Sequence, residues 1–183
     1  MQVKLEENLE RVLIDEKTLK DRIAELGAQI SKDYAGEELV IICLLMGAAY
    51  FATELTQHIT VPMRIDFVKA SSYGAGTKSS GKVDIQYDTS RNVAGKNILL
   101  VDDVIDTGFT LREVSELFSH RNPKSLKVAV MLDKKERRIV KMLPHYAGFE
   151  IPDEFVVGFG LDYDEEYRNL PYIGILKRSV YEK

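Results

Sequence analysis

Apolar and polar positions along this chain follow two periods. Leu19, Ile23, Leu26 and Ile30 recur at 4-3-4 spacing, which predicts an amphipathic helix that stops near Gly36. Residues 39–45 are apolar without a break, the pattern of a central strand buried on both faces. Met46-Gly47-Ala48-Ala49 reads as a compact turn, and 50–58 as a second helix. Met63, Ile65 and Phe67 alternate with Arg64 and Asp66, and Val83, Ile85 and Tyr87 repeat that alternation, predicting two half-buried strands. A strand over 98–101 follows the turn at 94–97. Leu111, Val114, Leu117 and Phe118 give the next helix an apolar face, and 126–132 is another buried strand. Short strands are predicted over 155–157 and 172–176. Helices alternating with strands predict an α/β fold, a mainly parallel sheet with helices on its faces.

Between the two alternating strands, residues 71–81 are rich in Gly and Ser. Such a stretch is either a linker or a functional loop, since long structureless loops are uncommon in compact domains. The last 45 residues carry Pro144, Pro152 and Pro171 and look irregular. The expected organisation is a single domain over 1–183, with a hood over the sheet edge formed by the N-terminal segment and about 144–183.

Composition narrows the class. At 183 residues a chain buries roughly 70% of its unfolded surface, enough for a full core. A net charge of -4 lacks the basic footprint of a nucleic-acid binder. No apolar run approaches the roughly 20 residues that span a membrane, and the charged N-terminus has no signal-peptide core. The single cysteine, Cys43, reads as a buried small hydrophobe. A cytoplasmic protein without disulfides, nucleic acid or membrane among its partners is expected.

The chemistry concentrates where the strand over 98–101 runs into Asp102-Asp103-Val104-Ile105-Asp106-Thr107-Gly108-Phe109-Thr110. In an open α/β sheet, ligands bind at the carboxyl ends of the strands. Gly108 lets backbone approach an anion, Thr107 and Thr110 supply hydroxyls, and oriented N–H groups in such a turn form an anion-binding concavity. The same residues also suit an ordinary helix N-cap. Strand alternation sends Asp102 and Asp103 to opposite sides, and each needs a ligand, a cation or an ion pair. No G-x-x-x-x-G-K occurs, so this is not a Walker loop. His58, His120 and His145 show no metal-ligand spacing.

An apolar strand, two acids, two aliphatics and Asp-Thr-Gly-x-Thr resemble the phosphoribosyl-pyrophosphate motif of the type I phosphoribosyltransferases. Four further stretches narrow the resemblance to the bacterial hypoxanthine(-guanine) phosphoribosyltransferases. They are Ser71-Ser72-Tyr73-Gly74, Leu132-Asp133-Lys134 with Arg137-Arg138, the run from Pro152 through Phe155 and Val156 to Asp162-Tyr163, and the tail from Glu166 to Gly174. The likeness spans about 12–176.

The resemblance implies the type I phosphoribosyltransferase fold and transfer of a 5-phosphoribosyl group from phosphoribosyl pyrophosphate to N9 of hypoxanthine or guanine. The products are IMP or GMP and pyrophosphate, with Mg2+ as cofactor and a homodimer or homotetramer as the assembly. By the same resemblance Asp102 and Asp103 hold the ribose hydroxyls, directly or through Mg2+, and Asp162 is the position for a second Mg2+. Asp106, Thr107, Gly108, Phe109 and Thr110 cradle the 5-phosphate, and Asp106 is the general base beside N7. Lys134 donates to the purine 6-oxo group, Phe155 stacks on the base, and the backbone of Val156 and Asp162 reads the rest of its edge. Gly47, Arg168 and Arg138 meet pyrophosphate. Ser72 and Tyr73 belong to a lid that keeps water from an oxocarbenium-like centre.

One departure bears on this picture: the family's Leu-Lys-Gly is Leu45-Met46-Gly47 here, so the lysine's contacts are lost while Gly47 keeps its backbone. Two other readings compete. One is a phosphoribosyltransferase for xanthine or another base. The other is a non-catalytic nucleotide-sensing regulator on the same fold, against which the acidic chain and the presence of Asp106 count. A receiver domain also brings acids to strand ends but explains neither Thr107-Gly108 nor the C-terminal hood.

Overall fold

The computed structural model describes residues 5–72 and 83–182. Among them the large sheet is built from β2 (Leu39–Leu44), β3 (Met63–Ser72), β4 (Val83–Tyr87), β5 (Asn97–Ile105), β6 (Ser125–Asp133) and β7 (Tyr146–Glu150). Its strand order is β4-β3-β2-β5-β6-β7. All neighbours are parallel except β3 and β4. From β2 the chain moves to β3 on one side and later returns to β5 on the other. The carboxyl ends of β2 and β5 therefore flank the topological switch point, where α/β sheets bind ligands.

Residues that alternate along the central strands feed two cores. Ile41, Cys43, Leu99, Val101, Ala129 and Met131 face one layer. That layer holds α1 (Glu16–Asp33), through Leu19, Ile23, Leu26 and Ile30, and α2 (Ala48–Gln57), through Phe51 and Leu55. Val40, Ile42, Ile98, Leu100, Val128 and Val130 face the other, where α3 (Phe109–Ser119) contributes Leu111, Val114 and Phe118. Two buried faces explain why β2 and the start of β5 read as unbroken apolar runs. Asp15 caps α1, its carboxylate accepting the Thr18 amide at 2.9 Å.

A second, three-stranded sheet joins β1 (Leu9–Ile14), β9 (Ile173–Leu176) and β8 (Val156–Val157) in the order β1-β9-β8, antiparallel throughout. A short helix, α4 (Arg178–Tyr181), follows β9. The hood boundary near 144 shifts here, because β7 pairs with β6 in the large sheet and the C-terminal part of the small sheet begins at β8. β5 is longer than expected and carries both acids, because its pairing with β6 continues to Val104–Leu132 and Ile105–Asp133. Among the described residues no helix is long and apolar enough to cross a membrane.

Leu99 is fully buried in the middle of β5. Leu99→Ala is expected to cost about 2–5 kcal/mol, measured as a lower urea midpoint at unchanged m-value.

Candidate active site

β5 delivers Asp102 and Asp103 to the switch point, and the chain then turns through 106–108 into α3. Gly108 caps that helix with φ +84° and no side-chain hydrogen bond. A Cβ there would sit 2.6 Å from Val140 Cγ2 and 3.1 Å from Arg138 Cδ, so both backbone angle and space call for glycine. The ordinary N-cap reading therefore fails: neither Asp106 nor Thr107 caps α3.

The turn's carbonyls are all held inward. Arg138 Nε donates to Asp106 O at 2.8 Å and its Nη2 to Ile105 O at 3.2 Å, while the Ile139 and Val140 amides donate to Thr107 O. Among the described residues the amides of Thr107, Gly108, Phe109 and Thr110 donate to no protein acceptor. Those amides, the positive end of α3 and the two threonine hydroxyls suit an anion. Asp102, Val104, Asp106, Thr107, Gly108 and Thr110 line a cavity of about 150 Å³ at this turn. A larger one, about 400 Å³, opens at the opposite edge of the strands beside Arg64, Arg91 and Lys96 and has neither the acid pair nor the turn.

Arg138 corrects an expectation. Besides those two carbonyls its guanidinium donates to Met142 O at 2.6 Å and pairs with Asp133 at 2.5 Å, its side chain 11% exposed. It braces the phosphate turn from behind and is committed away from pyrophosphate. Its neighbour Arg137 belongs to the same sequence stretch but has no role assigned from it, yet its Nε lies 3.0 Å from Asp106 Oδ1 and its Nη1 3.4 Å from Asp153. Although close, Arg137 is not aligned for a hydrogen bond, and Asp106 Oδ1 receives none. The only sequence signal for it is the arginine doublet shortly after a strand end.

The two acids meet different neighbours, but alternation does not part them fully: their carboxyls remain within hydrogen-bonding reach of each other. Asp102 lines the turn cavity, whereas Asp103 packs on Gly47. A Cβ on Gly47 would fall 1.7 Å from Asp103 Oδ2, and one on Gly160 would fall 2.1 Å from Gly47 O. Arg168 Nη1 donates to Gly160 O at 2.7 Å and its Nη2 pairs with Asp162 at 2.8 Å. Gly47, Asp103, Gly160, Arg168 and Asp162 thus form one contiguous wall. The other Asp162 oxygen accepts the Glu165 amide at 3.0 Å, so both its oxygens are engaged. The Leu45–Met46 peptide is cis, and the Met46 side chain is exposed.

Burial, reinforced by the Asp103 charge, holds the Asp102 carboxyl well above the usual carboxylate range. Burial also raises Asp103, against the Val104 amide and the Arg168 charge. The same burial and both acids push the Cys43 thiol up to about 12, which keeps it protonated. Two acids that resist ionisation together fit an incoming cation or sugar hydroxyls. Among the described residues no group of three or more His, Cys, Asp and Glu side chains gathers to hold a metal. A donor set of one or two carboxylates suits Mg2+ that shares its shell with substrate phosphates.

Opposite the acids, the Lys134 amide donates to Ile105 O at 3.0 Å, which sets this residue beside Asp106. Its ammonium donates to Glu154 O at 2.7 Å. Burial lowers its pKa from the usual lysine value, with Asp106 and Asp153 opposing the shift. The 151–155 loop hangs from β6 through the Ile151 amide to Asp133 O at 3.0 Å. Phe155 ends this loop, 36% exposed. Val156 lies in β8, an edge strand of the small sheet, so one side of its backbone is left unpaired by the ladder. His145 is structural, its Nδ1 accepting the Val128 amide at 3.1 Å. Ser72 is the last residue of β3, and Tyr73 lies outside the described residues.

The raised Asp102 sets a pH dependence. Above about pH 3.8 the unfolded carboxyl has lost its proton while the native one retains it. The folded state therefore loses stability as pH rises through the native value. Asp102→Asn is expected to raise the Tm of the ligand-free protein at pH 8 and to give no gain near pH 3.5. Paired thermal melts at the two pH values measure this.

A family model described as phosphoribosyl transferase domain matches residues 13–164. The hypoxanthine-guanine phosphoribosyltransferase of Lactococcus lactis is 47% identical over 179 residues, 98% of this chain and 97% of that protein. The hypoxanthine-guanine phosphoribosyltransferase of Streptococcus thermophilus is 44% identical over 179 residues, 98% of this chain and 99% of that one. Among solved structures, a hypoxanthine phosphoribosyltransferase from Staphylococcus aureus superposes with a TM-score of 0.95 at 44% identity, covering 98% of this chain and 97% of that one.

Proposed function

The chain belongs to the phosphoribosyltransferase family, and we propose that it is a purine-salvage enzyme of the hypoxanthine-guanine type. It transfers the 5-phosphoribosyl group from phosphoribosyl pyrophosphate to N9 of hypoxanthine or guanine, yielding IMP or GMP and pyrophosphate. The turn at 106–110 carries this reading: its carbonyls are bound inward and its amides are free, directly beyond an acid pair at the switch point. Ribose and phosphate are then met along one strand and turn, while the base is met from the end of β6 and from the hood.

The bond from the anomeric carbon to pyrophosphate breaks, the bond to N9 forms, and the purine loses a proton. The amides and hydroxyls of 107–110 take the 5-phosphate. Asp102 and Asp103 orient the ribose hydroxyls, so the anomeric carbon faces the base. Gly47, through its backbone, and Arg168 hold the departing pyrophosphate. Mg2+ held by Asp102 and Asp103, with a second ion at Asp162, would supply charge neutralisation to the leaving group. Asp106 takes the proton that the purine gives up. Lys134 has donors and no acceptor, so it favours a 6-oxo group over a 6-amino group. Phe155 supplies the stacking surface, and the Val156 and Asp162 backbone reads the remaining edge. The lid that includes Ser72 and Tyr73 excludes water during transfer. The same reading makes the enzyme cytoplasmic and assembled as a homodimer or homotetramer.

A steady-state panel of hypoxanthine, guanine, xanthine and adenine with phosphoribosyl pyrophosphate and Mg2+ tests the reading. Hypoxanthine and guanine are the expected substrates, and a preference for adenine would sink the role of Lys134. Asp106→Asn is expected to lower kcat by roughly 100- to 10,000-fold while phosphoribosyl pyrophosphate binding, followed by calorimetry, stays near wild type. Unchanged turnover would remove Asp106 as the base.

A further inference from the structure

Phe155 sits in front of a two-residue edge strand and outside the two cores that hold the large sheet. Its backbone is tied down, with its carbonyl accepting the Leu176 amide at 2.9 Å. Two other rings fix the side chain. Tyr181, from α4, lies stacked on it with centroids 4.8 Å apart and planes 25° from parallel. Tyr163 meets it edge-on, at 5.7 Å and 86°. The Tyr163 hydroxyl in turn donates to Val180 O at 3.2 Å, tying that edge to α4.

Tyr163, Val180 and Tyr181 all pack against the hood cluster of Leu9, Val157, Tyr167, Leu170 and Leu176. Tyr181 is thus anchored to the hood, and Phe155 remains 36% exposed beside it. The Tyr181 hydroxyl has no hydrogen-bond partner among the described residues, which leaves the ring as the group that acts.

We propose that Tyr181 is a positioning residue for the purine: it backs Phe155, holding that ring in the orientation in which the base stacks on its other face. The proposal rests on the reading of Phe155 as the stacking residue. Without a backing ring, Phe155 rotates in the free enzyme and must be ordered each time a base arrives. That entropy is drawn from base binding. An aromatic pair of this geometry corresponds to about a three- to tenfold change in binding. The loss falls on the base and spares the phosphoribosyl group, which is held by a different strand and turn.

The experiment compares Tyr181→Ala, Tyr181→Leu, Tyr181→Phe and Phe155→Ala in the full chain with Mg2+. It reads the KM of hypoxanthine, the KM of phosphoribosyl pyrophosphate and kcat. Tyr181→Ala and Tyr181→Leu are expected to raise the hypoxanthine KM about three- to tenfold, with the other two parameters within about twofold. Tyr181→Phe keeps the wild-type value. Because leucine preserves apolar packing, it separates lost stacking from a loosened hood. The proposal is overturned if Tyr181→Ala leaves the hypoxanthine KM unchanged while Phe155→Ala raises it. It fails equally if Tyr181→Ala lowers that KM, since the ring then covers the base's place, or if both substrates' KM values rise together. A Phe155→Ala variant with normal hypoxanthine KM overturns the stacking reading itself.

Discussion

The turn after β5 can bind an anion because a cation holds it from behind. A turn has as many carbonyls as amides, and only a second structure can decide which set faces the ligand. Arg138 decides it here: one guanidinium, charge-balanced by Asp133, collects the carbonyls of Ile105, Asp106 and Met142. Ile139 and Val140 complete the inner side through Thr107 O. The amides on the other side are left over by construction. Glycine at 108 is then doubly required, by its left-handed backbone and by Val140 and Arg138 pressing against it. A buried guanidinium engaged through all three of its nitrogens also keeps this geometry fixed before substrate arrives, which is what preorganised anion binding needs.

The acid pair depends on the same strand in the opposite electrostatic sense. Burial makes two adjacent carboxylates unwelcome as charges, and the two carboxyls stay within hydrogen-bonding reach of each other while meeting different neighbours. Asp102 goes to the phosphate turn, and Asp103 goes to Gly47 and the Arg168 wall. On the proposed function, a sugar set against them lies between the turn at 106–110 and the wall of Gly47 and Arg168. The site is destabilised while empty and relieved by hydroxyl donors or a cation, so its instability and its affinity share one origin.

Much of this was legible in the sequence, because burial on both faces leaves strong patterns. The helix at 19–30, the runs in β2 and β6, and the acids at the end of β5 announced themselves by period and composition. What escaped did so for identifiable reasons. β1 buries only its end residues, Leu9 and Ile14, and exists through pairing with β9 rather than through a pattern of its own. β7 carries Gly148 at its centre, where a Cβ would fall 2.4 Å from Met131 O. A residue chosen for close approach there looks like a loop signal. Arg138 was assigned to the wrong task because residue type shows that an arginine has donors but not which acceptors they reach.

Met46 poses the sharper question of what a side chain adds to a wall made of backbone. Gly47 is hemmed in by Asp103 on one side and by Gly160 on the other, and Gly160 in turn by Gly47 O and Arg168. These contacts involve glycine backbone, a carboxylate and a guanidinium, and none uses the side chain at 46, which points into solvent and is 56% exposed. Changing that side chain therefore leaves the wall intact. It removes a positive charge from the rim and leaves Arg168 as the cation built into the wall. Arg168 is held by Asp162 and Gly160, and so its charge is placed at little further entropic cost. On the proposed function, methionine at 46 leaves the task of meeting pyrophosphate to groups that the fold already fixes.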